Sequence, residues 1–224
     1  DCIVLDVTTG NGAFMKDRKQ ALELAKKMVT IGNLAGKKTI AQLTSMEEPL
    51  GFAVGNNLEV KEAIDALHGN GPEDLMTVCY TLAAHMISLG KNISCEAAVK
   101  EAKESVESGR AFDTFVKMVE MQGGDTSYIL SPETLPVSPV QAELKAQNPG
   151  YLTYINTEGV GTAAGILGAG RSKKEDDIDP CAGIILHKKL GQKVEAGESL
   201  ATLYTSDKSL LDAGIRHLET CYEI

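Results

Sequence analysis

The sequence is 224 residues long, enough for one large domain or two modest ones. It is 43% hydrophobic but only 4% aromatic, with no Trp, so aliphatic side chains have to build the core. Its 22 Lys and Arg are outnumbered by 31 Asp and Glu, and the formal charge of −9 argues against a general binder of nucleic acid or anionic membranes, which needs a basic face.

The opening run Asp1-Cys2-Ile3-Val4-Leu5-Asp6-Val7 reads as a buried strand that passes into Thr8-Thr9-Gly10-Asn11-Gly12-Ala13. A short apolar run, paired glycines and then a helical pattern is how an open α/β sheet hands its chain from strand to helix. A strand this early predicts sheet neighbours in polypeptide upstream of it. Ala21, Leu22, Ala25, Met28, Val29 and Gly32 recur at helical spacing, and Gly36 closes the helix. Thr39-Ile40-Ala41-Gln42-Leu43 reads as a second strand, parallel to the first. A turn-rich loop over 46–57 follows, with Asn56 or Asn57 placed to cap a helix carrying Leu58, Val60, Ala63, Ile64 and Leu67. His68-Gly69-Asn70-Gly71 stops it, and Pro72-Glu73-Asp74 opens the next. That helix carries Leu75, Val78, Cys79, Leu82, Ala83, Met86 and Ile87 as a stripe and is expected to end at Gly90. Ser94 caps a further helix through Val106, and another spans 112–121.

Pro132, Pro136, Pro139 and Pro149, four of the seven prolines, then fall close together. They mark a linker or crossing segment over 131–150. Beyond it, 151–155, 182–187 and 199–204 read as strands, 160–167 as a short helix and 207–220 as a final helix. The fold expected is α/β over 1–130, a parallel or mixed sheet flanked by helices, followed by a smaller α+β swivel-like (barrel-sandwich-like) module over 151–224.

The cysteines Cys2, Cys79, Cys95, Cys181 and Cys221 are far apart and form no Cys-x-x-Cys pair, so neither a disulfide framework nor a zinc site is indicated. Reduced thiols in a cytoplasmic protein are the plain reading. No stretch approaches the roughly 20 apolar residues of a membrane helix. Gly10-Asn11-Gly12 allows either an anion contact through backbone N–H groups or a tight turn with close helix–sheet packing. The turn is preferred, because no Gly-Lys-Ser/Thr and no full Gly-x-Gly-x-x-Gly is present. His68, His85, His187 and His217 stand beside no nucleophile motif, and Glu47-Glu48 and Glu175-Asp176-Asp177 read as solvated faces. The stretch 182–200, with Lys188-Lys189 before Gly191, resembles the half-barrel repeat of biotinyl and lipoyl carrier domains, but the methionine flanks of a biotinylated lysine are absent and a swivel-like β module without cofactor is the preferred reading.

Several segments together resemble the pyrimidine-nucleoside and thymidine phosphorylases. They are Leu5-Asp6-Val7-Thr8-Thr9-Gly10-Asn11-Gly12-Ala13-Phe14-Met15-Lys16, Pro49-Leu50-Gly51-Phe52-Ala53-Val54-Gly55-Asn56, Leu58-Glu59-Val60-Lys61-Glu62-Ala63-Ile64 and Gly69-Asn70-Gly71-Pro72, then Gln122-Gly123-Gly124-Asp125, Leu167-Gly168-Ala169-Gly170-Arg171-Ser172-Lys173-Lys174-Glu175-Asp176 and the stretch 183–200. The matches run in order over nearly the whole chain. Thr8 stands where the family usually has lysine, Asn57 replaces a usual small residue, and Pro180-Cys181 interrupts a usually more apolar approach to Gly183.

The resemblance implies phosphorolysis of pyrimidine nucleosides to free base and pentose 1-phosphate in nucleoside salvage, with inorganic phosphate as co-substrate, by a cytoplasmic homodimer with no nucleic-acid or membrane partner. The family's phosphate loop and its base-binding residues lie upstream of the Leu-Asp-Val strand. No catalytic or substrate-binding residue is therefore assigned on this chain, and these 224 residues alone are expected to be inactive. Some family members bind potassium, and the resemblance places three ligands here: the main-chain carbonyls of Leu50 and Ala53, and Glu62. Two alternatives stand beside this reading. One is a non-catalytic biotinyl- or lipoyl-like module modified at Lys188 or Lys189. The other is a phosphoribosyltransferase of anthranilate type, which would be expected to end without residues 151–224.

Overall fold

The computed structural model describes residues 2–171 and 173–224. Asp1, in the expected first strand, and Ser172, in the Gly-Arg-Ser-Lys stretch, lie outside them. The aliphatic run forms β1 (Cys2–Thr9), which passes through the glycine turn into α1 (Arg18–Leu34), capped by the Asp17 side chain on the Gln20 N–H. β2 (Lys38–Ser45) returns parallel to β1, in register from Cys2 with Lys38 to Thr9 with Ser45. Gly32 lets α1 approach β2, since a Cβ there would fall 2.1 Å from Thr39 Oγ1. Val7, Ala21 and Ala25 form the buried centre of this βαβ element.

β3 (Ala53–Val54) and α2 (Asn56–Leu67) follow. Asn56 and Asn57 lie inside the first turn of α2 rather than capping it. The reach-back comes from Glu59, whose Oε1 accepts from Gly55 N–H at 2.9 Å. The Asn57 amide instead donates to the Pro136 carbonyl. α3 (Glu73–Lys91) opens behind Pro72 with Glu73 and Asp74 in its first turn. It runs past Gly90, the expected stop, because Asn92 at φ 55° supplies the left-handed closure. α4 (Cys95–Glu107) has its Ser94 cap on the Ala97 N–H, and α5 (Arg110–Met121) and α6 (Ser127–Leu130) complete the helical run.

The stretch expected to be a linker contains β4 (Val140–Lys145), an outer member of a sheet. Its prolines cluster before the strand and one residue ahead of β5 (Gly150–Tyr151), leaving the β4 backbone N–H groups available for pairing. β6 (Tyr154–Ile155), α7 (Thr157–Ala164), β7 (Gly183–Leu186), β8 (Lys193–Val194), β9 (Ser199–Thr205), α8 (Lys208–Glu219) and β10 (Tyr222–Glu223) follow. The main sheet has the order β3-β7-β9-β4 and is antiparallel throughout; β5 pairs with β8 and β6 with β10. Ile184, Leu186, Leu200 and Leu203 from the sheet meet Val160, Leu167 and Leu218 from the helical segments in one continuous core.

Two compact units result. Unit 1 is Asp1–Met46 with Ile64–Leu130, and unit 2 is Glu47–Ala63 with Ser131–Ile224. Residues 47–63 thus belong with the carboxy-terminal part, because β3 hydrogen-bonds to β7.

Candidate functional site

Loop 48–53 of unit 2 is held from two sides by hydrogen bonds. Leu58 and Glu62, four residues apart on α2, share one helix face. Leu58 packs toward Gly183, and Glu62 reaches the loop. Glu62 Oε1 accepts from Phe52 N–H at 2.8 Å and from Ala53 N–H at 3.2 Å. Gly51 sits at φ +69°, and a Cβ there would fall 2.2 Å from Glu62 Oε2, so only glycine lets the backbone close this tightly over the carboxylate. On its other side the loop is tied to β7 and the connection after it. Leu186 N–H donates to the Phe52 carbonyl at 2.8 Å, Leu190 N–H to Glu48 Oε2 at 2.7 Å, and the Lys189 ammonium to the Pro49 carbonyl.

Ala53 and Glu62 are therefore in direct contact, through the Ala53 N–H, and Leu50 immediately precedes the glycine that covers the carboxylate. The groups seen on the carboxylate are the Phe52 and Ala53 N–H groups; a hard cation would need oxygen donors, a carboxylate and main-chain carbonyls among them. Among the described residues no three His, Cys, Asp or Glu side chains converge as a metal site. A cation at this loop would rely on backbone oxygen.

The glycine turn after β1 is satisfied by its own chain. Gly10 N–H donates to the Met15 carbonyl, Gly12 N–H to Met46, and Ala13 N–H to Gly10. The N-terminus of α1 begins later, at Arg18, and already carries the Asp17 carboxylate. This supports the turn over the anion cradle. Asp6 Oδ1 accepts from Thr44 Oγ1 at 2.6 Å, and an open hollow of about 350 Å³ lies at the end of β1, walled by Thr8, Phe14, Met15 and Met28. Open α/β sheets place ligands at the carboxyl ends of their strands.

His68 and His187 have hydrogen-bond partners, whereas His85 Nδ1 and His217 Nε2 are buried without one among the described residues. His68 Nδ1 lies 2.8 Å from the Ile64 carbonyl with its ring tilted at 46° to Phe112, and His187 Nε2 lies 2.8 Å from Thr202 Oγ1. Glu48, read from sequence as a solvated acid, is half-buried on the Leu190 N–H, whereas Glu175 and Asp177 are exposed as expected. The carrier reading fails on geometry: Lys189 is 9% exposed, and Lys188 pairs with Glu198 at 2.6 Å. A carrier lysine has to stand free at a hairpin tip. Glu48, Phe52 and Lys189 take part in this loop through contacts that join residues up to 142 positions apart, for which the sequence holds no local signal.

Asp179 organises a second junction in unit 2. Burial by itself would raise its carboxyl, but hydrogen bonds from Ser206, Cys181 and Ala182 outweigh that and hold it below its ordinary value. Burial pushes the Cys181 and Cys221 thiols and the Tyr222 phenol up. All five cysteines are free. Among the described residues no helix is long and apolar enough to cross a membrane.

The parallel βαβ element and the antiparallel module correspond to two known domain types. The family described as "Glycosyl transferase family, a/b domain" matches residues 1–112, and "Pyrimidine nucleoside phosphorylase C-terminal domain" matches residues 151–224. Among curated relatives, a pyrimidine-nucleoside phosphorylase of Geobacillus stearothermophilus is 48% identical over 213 residues, covering 95% of this chain and 49% of the relative. That of Bacillus subtilis is 47% identical over 94% of this chain and 49% of its own length. That of Staphylococcus haemolyticus is 46% identical over 100% of this chain and 52% of its own. The chain belongs to the pyrimidine-nucleoside phosphorylase family, and it spans about half the length of the relatives it matches.

Proposed function

We propose that this chain is the carboxy-terminal part of a pentosyltransferase that cleaves pyrimidine nucleosides with inorganic phosphate, releasing the free base and pentose 1-phosphate in nucleoside salvage. The observation that carries the reading is the 48% identity, over 95% of this chain, to a relative named pyrimidine-nucleoside phosphorylase. In such a reaction phosphate attacks the anomeric carbon as the base departs. The protein has to hold one anion and stabilise another as it forms, by prearranged cations and hydrogen-bond donors. Residues 1–46 and 64–130 are assigned to the central α/β domain and residues 47–63 and 131–224 to the carboxy-terminal module, in place of the division expected at 131–150. No catalytic or substrate-binding group is assigned here.

The contribution of this chain is a cation loop. The main-chain carbonyls of Leu50 and Ala53 and the carboxylate of Glu62 hold potassium, which when bound offsets the Glu62 charge and stiffens the loop. Flexible rings of backbone oxygen suit such an ion. The reading is supported by the closure of Gly51 over Glu62 and by the two N–H groups that orient the carboxylate. The complete enzyme is assigned as a cytoplasmic homodimer without nucleic-acid or membrane partners, in keeping with the acidic charge and the free thiols.

Release of uracil or thymine from uridine or thymidine tests the activity. The full-length protein is expected to release base only when phosphate is added, and the 224-residue chain alone to release none. Absence of base release by the full-length protein overturns the proposal; turnover by the chain alone would place the catalytic groups within it.

A further inference from the structure

Loop 48–53 is anchored by a lysine as well as by Glu62. Lys189 lies between β7 and β8, and only 9% of it is exposed. Its ammonium donates to the Pro49 carbonyl, and Nζ stands 5.3 Å from the centre of the Phe52 ring. Its backbone N–H donates to Gln192 Oε1 at 2.9 Å, which fixes the turn that presents it. Burying an ammonium is costly unless it is hydrogen-bonded. An aliphatic residue could fill the same space without that cost, so the charge here points to a polar task.

We infer that Lys189 is a positioning residue for the cation loop: by holding the Pro49 carbonyl and the face of Phe52, it sets the backbone so that the Phe52 and Ala53 N–H groups meet the Glu62 carboxylate. Along 49–53 the Pro49 carbonyl is taken by Lys189 and the Phe52 carbonyl by Leu186 N–H. Both ties pull the loop toward β7, while Glu62 holds its N–H groups from α2. The loop is thus clamped from both sides before any ion enters, and a preset ring of oxygens binds more tightly than one that must be ordered. The purpose of the clamp rests on the proposed cation site; the clamp itself does not.

The experiment is residue-resolved amide exchange in the full-length protein. Lys189→Met is expected to speed exchange at Phe52 and Ala53 about tenfold, the effect of losing one hydrogen bond to a charged group. Leu203 in β9 should keep its rate, and Lys188→Met should change neither loop amide. Phe52→Leu, which removes only the ring under the ammonium, should speed Ala53 about threefold. Unchanged loop exchange in folded Lys189→Met overturns the inference; if that variant does not fold, unchanged Ala53 exchange in Phe52→Leu overturns it. A potassium titration of the thermal midpoint separates the two readings. A wild-type midpoint indifferent to potassium, with the exchange effect intact, defeats the cation site and leaves the clamp standing. A half-saturating concentration raised about tenfold in Lys189→Met supports both.

Discussion

The two units bury their apolar residues in different ways. In unit 2 a four-stranded antiparallel sheet and α7 and α8 enclose Leu152, Ile155, Val160, Ile184, Leu186, Leu203 and Leu218, each at most 1% exposed. In unit 1 the parallel strands β1 and β2 each have a single strand partner among the described residues, and the cluster packed on them is Val7, Ala21 and Ala25, with Ile64, Ala84, Ala98, Ala102 and Ile129 buried singly along the helices. Ile3, Ile31 and Leu34 stay exposed there at 37%, 67% and 84%. Parallel sheets normally have both faces covered, whereas an antiparallel sheet tolerates one wet face. Unit 2 therefore carries its own core, while unit 1 has the make-up of a layer that gains by further packing, in keeping with the proposal that this chain is one part of a longer enzyme.

The sharpest way to break the comparison is at the β3–β7 contact of unit 2. Gly183 lies at φ +154°, and a Cβ there would stand 2.5 Å from the Val54 carbonyl oxygen, backbone that cannot step aside. Gly183→Ala is expected to cost about 4 kcal/mol or more, measured by urea unfolding. Core truncation comes next: Leu203→Ala should cost about 3 kcal/mol and Val7→Ala about 1 kcal/mol. Equal losses would erase the distinction between the units.

Asp179→Asn should cost about 1 kcal/mol at neutral pH. The carboxyl is depressed in the folded protein, so its contribution is present above the ordinary Asp value, near ~3.9, and is lost as pH falls through the folded value. The gap between wild type and variant should close in that acid range; a gap constant down to the acid transition would show that the hydrogen bonds to Ser206 and Cys181 do not depend on its charge. Smallest, Asp207→Ala removes the cap of α8 on the Ser209 N–H and should lower stability by about 1 kcal/mol or less.

Much of unit 1 was legible because glycine, proline and the periodicity of apolar residues act locally. The aliphatic run of β1, the stripe of α1 and the Ser94 cap each announce themselves within a few residues. Gly90 misled because a glycine in a helix is tolerated, and the true stop was Asn92. β4 was hidden by the prolines around it, since its strand identity comes from pairing with β9 some sixty residues on. In the candidate site, Leu50, Ala53 and Glu62 came from resemblance. The carboxylate side of the loop spans only about ten residues, but the Lys189 clamp joins distant positions and depends on how β7 pairs with β3.

The central claim, that the loop closed over Glu62 holds a potassium ion, is tested most directly by the thermal midpoint of the full-length protein at constant ionic strength as potassium replaces a bulky organic cation. The midpoint of wild type is expected to rise with potassium and that of Glu62→Gln to stay flat. A wild-type midpoint that does not move, or an equal rise in both proteins, would contradict it.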